Sequence, residues 1–146
     1  MNPEFQQRLA IALTQDQEKF SSNCIGTALY LAEIQEKDTG VNTHEAFREY
    51  FKKLPVLESA REGCLVAWNN GSQIVHCGVI TSLEPLLVTH RVGSREEIQV
   101  NKPLMEIEQE YVSFQRKYYA PQKIARYSGW RYVSFCRNVF AYLCKS

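Results

Sequence analysis

Apolar residues recur at helical spacing through the first third of the chain. Asn2 followed by Pro3 reads as a cap with proline at the first helical position, and Phe5, Leu9, Ala12 and Leu13 then mark one face of a first helix. Ser22 or Asn23 caps a second helix, where Ile25, Ala28, Leu29 and Ala32 fall at i, i+3, i+4 and i+7 and Gly40 sets the latest end. A third opens at Thr43, with Phe47, Tyr50, Phe51 and Leu54 on one stripe before Pro55 stops it.

The period then shortens to that of strands. The runs GCLVAW (63–68), QIVHCGVI (73–80) and LLVTHRVG (86–93), separated by the turn NNGS and a loop through Pro85, predict an antiparallel meander. A further strand is expected at 97–100, a mixed segment after Pro103 and another strand at KIARY (123–127). Tyr132, Phe135, Cys136, Val139, Phe140 and Leu143 return to helical spacing. Runs of helices followed by runs of strands make this an α+β fold, expected as one domain over 1–146.

Composition agrees with a folded domain: 146 residues, 45% hydrophobic and 23% charged. The apolar runs fall short of the roughly 18 residues of a membrane span, and the first residues lack the layout of a signal peptide. Five cysteines at 24, 64, 77, 136 and 144, with no C-x-x-C, suggest reduced thiols. A cytoplasmic setting is therefore expected. The net charge of +1 is uneven: residues 1–110 hold all 16 acidic side chains against 10 Lys and Arg, and the rest of the chain carries the other 7 basic residues. There Arg116, Lys117, Lys123, Arg126, Arg131 and Arg137 alternate with tyrosines and Trp130, which suits an anionic partner, or a solvated face offsetting the acidic remainder.

Three residues carry the candidate chemistry. A helix start stabilises an anion, so Cys24, just after Asn23, is the thiol expected to have a lowered pKa, and Gly26 and Thr27 keep its approach slim. Strand alternation places Ile74, His76, Gly78 and Ile80 on one face and Val75, Cys77 and Val79 on the other. A hairpin turning about Leu83 would pair Ile80 with Leu86, Gly78 with Val88 and His76 with His90. Two imidazoles would then be neighbours, His90 orienting His76 as a base, with Gly78 leaving room for the cysteine helix. The same alternation points Cys77 away from His76, so the His-Cys dipeptide is no chelate and no metal or cofactor is expected. His44 reads as surface polar, and the triplet DTG at 38–40 as a helix-ending glycine turn.

These segments resemble the NlpC-type cell-wall peptidases, a papain-like cysteine hydrolase family. NCIGTALYL is similar to that family's D-C-S-G helix start, GCLVAW to its G-D-L-V strand and HCGVI to its H-V-G-I strand, with His90 at the place of its third polar residue. The match covers roughly residues 20–92, and it departs at Asn23, Ile25 and Cys64, where the family has Asp, Ser and Asp. The resemblance implies a papain-like fold with N-terminal helices packed on an antiparallel sheet. It implies Cys24 as nucleophile, His76 as general base and acid, and His90 as orienting residue, acting on amide bonds such as those of peptidoglycan stem peptides. The oxyanion would meet the Cys24 N–H, with Asn23 beside it. A cytoplasmic enzyme would reach such a substrate by a specialised secretion route or act on wall fragments. The CHAP amidases share the cysteine-then-histidine order. Other readings are a binding module using the basic tyrosine-rich tail, and acyl transfer or deamidation by the same triad.

Overall fold

The computed structural model describes residues 1–15 and 22–122. The strand expected at 123–127, the helix expected over 132–143 and the basic residues Lys123, Arg126, Arg131 and Arg137 lie outside the described residues.

The architecture is α+β. Helix α1 (Pro3–Gln15) is capped by Asn2, whose Oδ1 accepts from the Phe5 N–H at 2.8 Å. Helix α2 (Cys24–Leu31) is shorter than its apolar pattern. Glu33 takes a left-handed φ of 64°, and the Ile34 N–H turns back to Leu29 O while that of Glu33 reaches Tyr30 O, which closes the helix without glycine. Asn42 caps α3 (Thr43–Glu45), which widens into a π-helical turn (Ala46–Phe51) where the Lys52 N–H reaches Phe47 O.

Six strands follow: β1 (Val56–Leu57), β2 (Leu65–Asn69), β3 (Ile74–Leu83), β4 (Leu86–Arg91), β5 (Ile98–Pro103) and, after helix α4 (Leu104–Glu108), β6 (Gln115–Tyr119). They form one antiparallel sheet in the order β1-β6-β2-β3-β4-β5. The expected meander is β2 to β4, and the further strand expected at 97–100 is β5; β6 slots between β1 and β2 from the segment read only as mixed. Phe5, Leu9, Ile25, Leu29, Tyr50 and Phe51 pack with Leu65, Ala67, Cys77 and Val79 on one face of the sheet. On the opposite face Val66, Trp68, Ile80 and Val88 pack with Leu104 and Ile107 of α4. A fully buried side chain such as Leu29 contributes about 1.5–3 kcal/mol by leaving water.

The register of the β3–β4 hairpin differs from the expected one. The chain turns at Glu84-Pro85, a cis peptide bond, with Leu83 facing Leu86, and an irregularity at Thr81 adds a residue to β3. Ile80 therefore faces Val88 instead of Leu86. This slip of two residues conserves side-chain direction, so His76 and His90 still share a face although they are not directly opposite. A second irregularity, where Trp68 faces His76 but Asn69 faces Ile74, turns Ile74 into the helix-side core, away from the face expected for it.

Candidate active site

Asn23 holds the start of α2 with most of its side chain. Its Oδ1 accepts from the Gly26 N–H at 2.8 Å and from the Val41 N–H at 3.2 Å, while Nδ2 donates to Val41 O at 2.9 Å. It was expected beside an oxyanion; its side chain is instead committed to the cap and to the loop at Val41. Gly26 does not keep the approach open for substrate either. A Cβ there would stand 1.9 Å from Thr39 O, so the glycine makes room for the loop at 39–40.

Cys24, half-buried at the tip of the helix, lies against the residue after His76: Cys77 Sγ is 3.9 Å from Cys24 O. Burial pushes the Cys24 thiol pKa up, and backbone N–H groups at Cys77, Ile25 and Cys24 offset this only in part. The expected lowering is overturned because desolvation of a thiolate outweighs the partial charge of one helix start. Cys77 is buried on the same side, and burial followed by the nearby Cys24 raises its thiol pKa well above the usual value.

The two imidazoles are in direct contact. His76 Nε2 and His90 Nδ1 are 2.8 Å apart, with the rings edge to face at 84° and centroids 5.0 Å apart. Tyr111 stacks flat on His76 at 4.6 Å and 7°, and Trp68 tilts against it at 5.7 Å. Trp68 is itself fixed by donation from Nε1 to Glu108 Oε1 at 2.9 Å. Burial, then the neighbouring His90, lowers the His76 pKa from 6.5 to about 3, and burial lowers that of His90. Both rings are therefore neutral near pH 7.

Gly78 accommodates His90 and not the cysteine helix, which packs on the other face. A Cβ at position 78 would stand 2.6 Å from Val88 Cγ1 and 2.9 Å from His90 Cβ. The registered pairing of β3 with β4 ends at Val79 and Thr89, although β3 begins at Ile74 and β4 runs on to Arg91. Cys24 meets β3 in this unpaired stretch, from the helix side, while the imidazoles occupy the face covered by α4 and Tyr111. Charge on the Cys24 sulfur raises the Tyr111 pKa after the larger effect of burial, so the thiol lies within electrostatic range of the ring stacked on His76.

A buried network ties the two sides together. Arg91, fully buried, donates from Nε to Thr27 Oγ1 at 2.7 Å, from Nη2 to Asp38 Oδ2 at 3.0 Å and from Nη1 to Glu96 O at 2.6 Å. Asp38 Oδ1 also accepts from Thr27 Oγ1 at 2.7 Å and from Ser22 Oγ. The residue after His90 thus grips the helix that begins at Cys24. The aspartate of DTG is the anion of this cluster, not merely part of a turn. Arg91, Asp38, Trp68 and Tyr111 were missed from the sequence; an arginine within the apolar LLVTHRVG run was the one available signal.

His76, His90, Gln99, Lys102, Glu110 and Tyr111 are among the residues lining a cavity of about 140 Å³. A larger hollow of about 240 Å³ lies elsewhere, around Met1, Phe5 and Cys64, and contains neither histidine. His44 is exposed. Of the basic tail, Arg116 pairs with Glu108 at 3.1 Å and lies over the Tyr118 ring. Among the described residues, no helix is long and apolar enough to cross a membrane. Compared with protein-family models, curated proteins and solved structures, the chain matches none.

Proposed function

We propose that the chain is a papain-like cysteine hydrolase of amide bonds, with Cys24 as nucleophile, His76 as base and acid, and His90 as the residue that orients His76. The observation that carries this reading is the 2.8 Å bond between His76 Nε2 and His90 Nδ1; the residue after His76, Cys77, has its thiol 3.9 Å from the main-chain carbonyl of Cys24. A base that accepts a proton at Nδ1 must carry its own on Nε2, and His90 Nδ1 is the acceptor that holds that tautomer. The sequence resemblance supplies the substrate class, peptide amides of the stem-peptide kind.

In this reading the resting pair is neutral thiol and neutral imidazole, since burial opposes either charge alone. Cys24 packs with the helix-side core and His76 with Trp68 and Tyr111 on the other face, so the step requires the two to meet across the end of the β3–β4 pairing. There the proton would leave Cys24 Sγ for His76 Nδ1 as sulfur bonds to the carbonyl carbon, and the resulting opposite charges would stabilise each other in a water-poor site. The oxyanion meets the Cys24 N–H at the helix start. Collapse breaks the carbon–nitrogen bond while His76 returns the proton to the leaving amine. Water, giving a proton to His76, then attacks the thioester; collapse breaks the carbon–sulfur bond, Sγ regains its proton from His76, and the carboxylic acid product departs and loses its own proton to solvent.

The test is labelling with a peptidyl chloromethyl ketone, followed by mapping of the modified residue by mass spectrometry. Cys24 should carry the label, and His76→Ala should slow labelling by about 10²- to 10⁴-fold, the usual contribution of a general base, or about 3–5 kcal/mol of barrier. Equal labelling of the native protein and the folded His76→Ala variant would refute the proposal.

A further inference from the structure

The bond between the two imidazoles can run in either direction. With both rings neutral, His76 Nε2–H donates to His90 Nδ1, or His90 Nδ1–H donates to His76 Nε2, across the same 2.8 Å. Only the first leaves His76 Nδ1 without a proton, as the proposed chemistry, on which this inference rests, requires. In that state His90 carries its own proton on Nε2; in the other state Nε2 is bare. Whatever faces His90 Nε2 therefore decides whether His76 can act as a base.

That nitrogen is sealed from water, and Gln99 reaches it from the next strand. Gln99 stands directly opposite His90 in the β4–β5 ladder, so the two side chains rise from the same face of the sheet. The contact falls short of a fully formed hydrogen bond at rest, yet it favours the protonated ring, as an accepting oxygen does.

The other partner of the amide says which of its ends meets the ring. Glu97, exposed just before β5, holds one end through its Oε2 at 3.1 Å. An ionised carboxylate only accepts, so that end is the nitrogen, and Oε1 is left for His90. An amide turned the other way would set oxygen against the carboxylate and an N–H donor against His90 Nε2. That donor would favour a bare Nε2, and with it a proton on His76 Nδ1.

We infer that Gln99 is a positioning residue of the site: its Oε1, held toward the ring by Glu97, accepts from His90 Nε2–H and so keeps His76 Nδ1 free to take the thiol proton. The direction of each bond along Glu97, Gln99, His90 and His76 is then set from the outer, solvent-facing end.

The experiment reads ring protonation in imidazole-¹⁵N-labelled protein at about pH 7, where bare and protonated nitrogens give separate resonances and the exposed His44 serves as reference. The native protein should show His76 Nδ1 bare and His90 Nε2 protonated. Gln99→Met keeps the reach of the side chain and removes the acceptor. A buried N–H without a partner is disfavoured by about 5- to 150-fold, so a proton should appear on His76 Nδ1, and labelling of Cys24 by the chloromethyl ketone should slow by up to that factor. Gln99→Glu, whose carboxylate also accepts, should restore both readings, a rescue that a purely structural role would not give. Glu97→Ala should move the same resonances less far, and an unmoved spectrum there would strike Glu97 from the chain. A proton on His76 Nδ1 in the native protein, or native ring resonances in folded Gln99→Met, would overturn the role of Gln99. The two claims fail separately. Cys24 labelled at the native rate in Gln99→Met, with the rings unchanged, loses the positioning role and keeps the hydrolase reading. Ring protonation that follows Gln99 as stated, with Cys24 never labelled, keeps the proton arrangement and loses the hydrolase.

Discussion

Gly78 and His90 occupy neighbouring strands so closely that a Cβ on the first would stand 2.9 Å from the Cβ of the second. With Val88 Cγ1 at 2.6 Å on the same side, even alanine has nowhere to go. Gly78→Ala should destabilise the fold by about 1–3 kcal/mol, the usual cost of overpacking, and displace the His90 ring. Urea denaturation measures the first effect, and the His76 and His90 ring resonances report the second. An unchanged midpoint would mean that the strands part without cost.

Acid should weaken the protein through His76. The unfolded chain takes up this proton near pH 6.5, whereas the folded chain refuses it until about 3. Between those values the unfolded state binds more protons, so stability is fully present above pH 6.5 and falls as pH drops toward 3. The slope is at most ~1.4 kcal/mol per pH unit from this group. His90, also lowered, acts with the same sign. Comparing urea midpoints of the native protein and His76→Gln between about pH 6.5 and 5 isolates the effect from the carboxylates, which titrate lower. Parallel curves would contradict it.

Tyr111 keeps water from one face of His76. Tyr111→Ala removes the ring stacked at 4.6 Å and should raise the His76 pKa from about 3 toward 6.5. An NMR titration of the His76 ring protons follows this directly, and a pKa that stays near its native value would show that other groups do the shielding.

The Arg91–Asp38 pair is buried on both sides, at 0% and 2% exposure. Losing one partner strands the other charge, so Asp38→Asn or Arg91→Met should each cost about 3–5 kcal/mol. The double variant should lose clearly less than the sum, because no charge is left uncompensated. Additive losses in a double-mutant cycle would show the two residues to be energetically independent.

Much of this arrangement was legible in the chain. Period-two alternation marked the meander and put both histidines on one face, a result that survived the register error because the slip was even. The error came from Thr81 and from the turn lying at Glu84-Pro85, neither of which alternation encodes. Strand β6 escaped notice because QRKYY is mostly polar and its partners in β2 lie some fifty residues earlier, as where Tyr119 faces Leu65. The end of α2 was set too late because Glu33 takes the left-handed position that glycine usually fills. The acidity expected for Cys24 failed for another reason. A helix tip is a local feature, whereas burial is set by the tertiary packing of the helix start, which the local pattern does not encode. Asp38 looked like a turn residue since its cationic partner lies 53 positions away.

The unpaired end of the β3–β4 hairpin has a mechanical implication. Past Val79 and Thr89 the two strands no longer pair residue by residue, and the Arg91 guanidinium clasps the departing strand to the helix that bears the thiol. The position of the thiol helix against this end of the sheet thus depends in part on side chains. A change at Thr27, Asp38 or Arg91 should therefore be felt at the site as well as in stability.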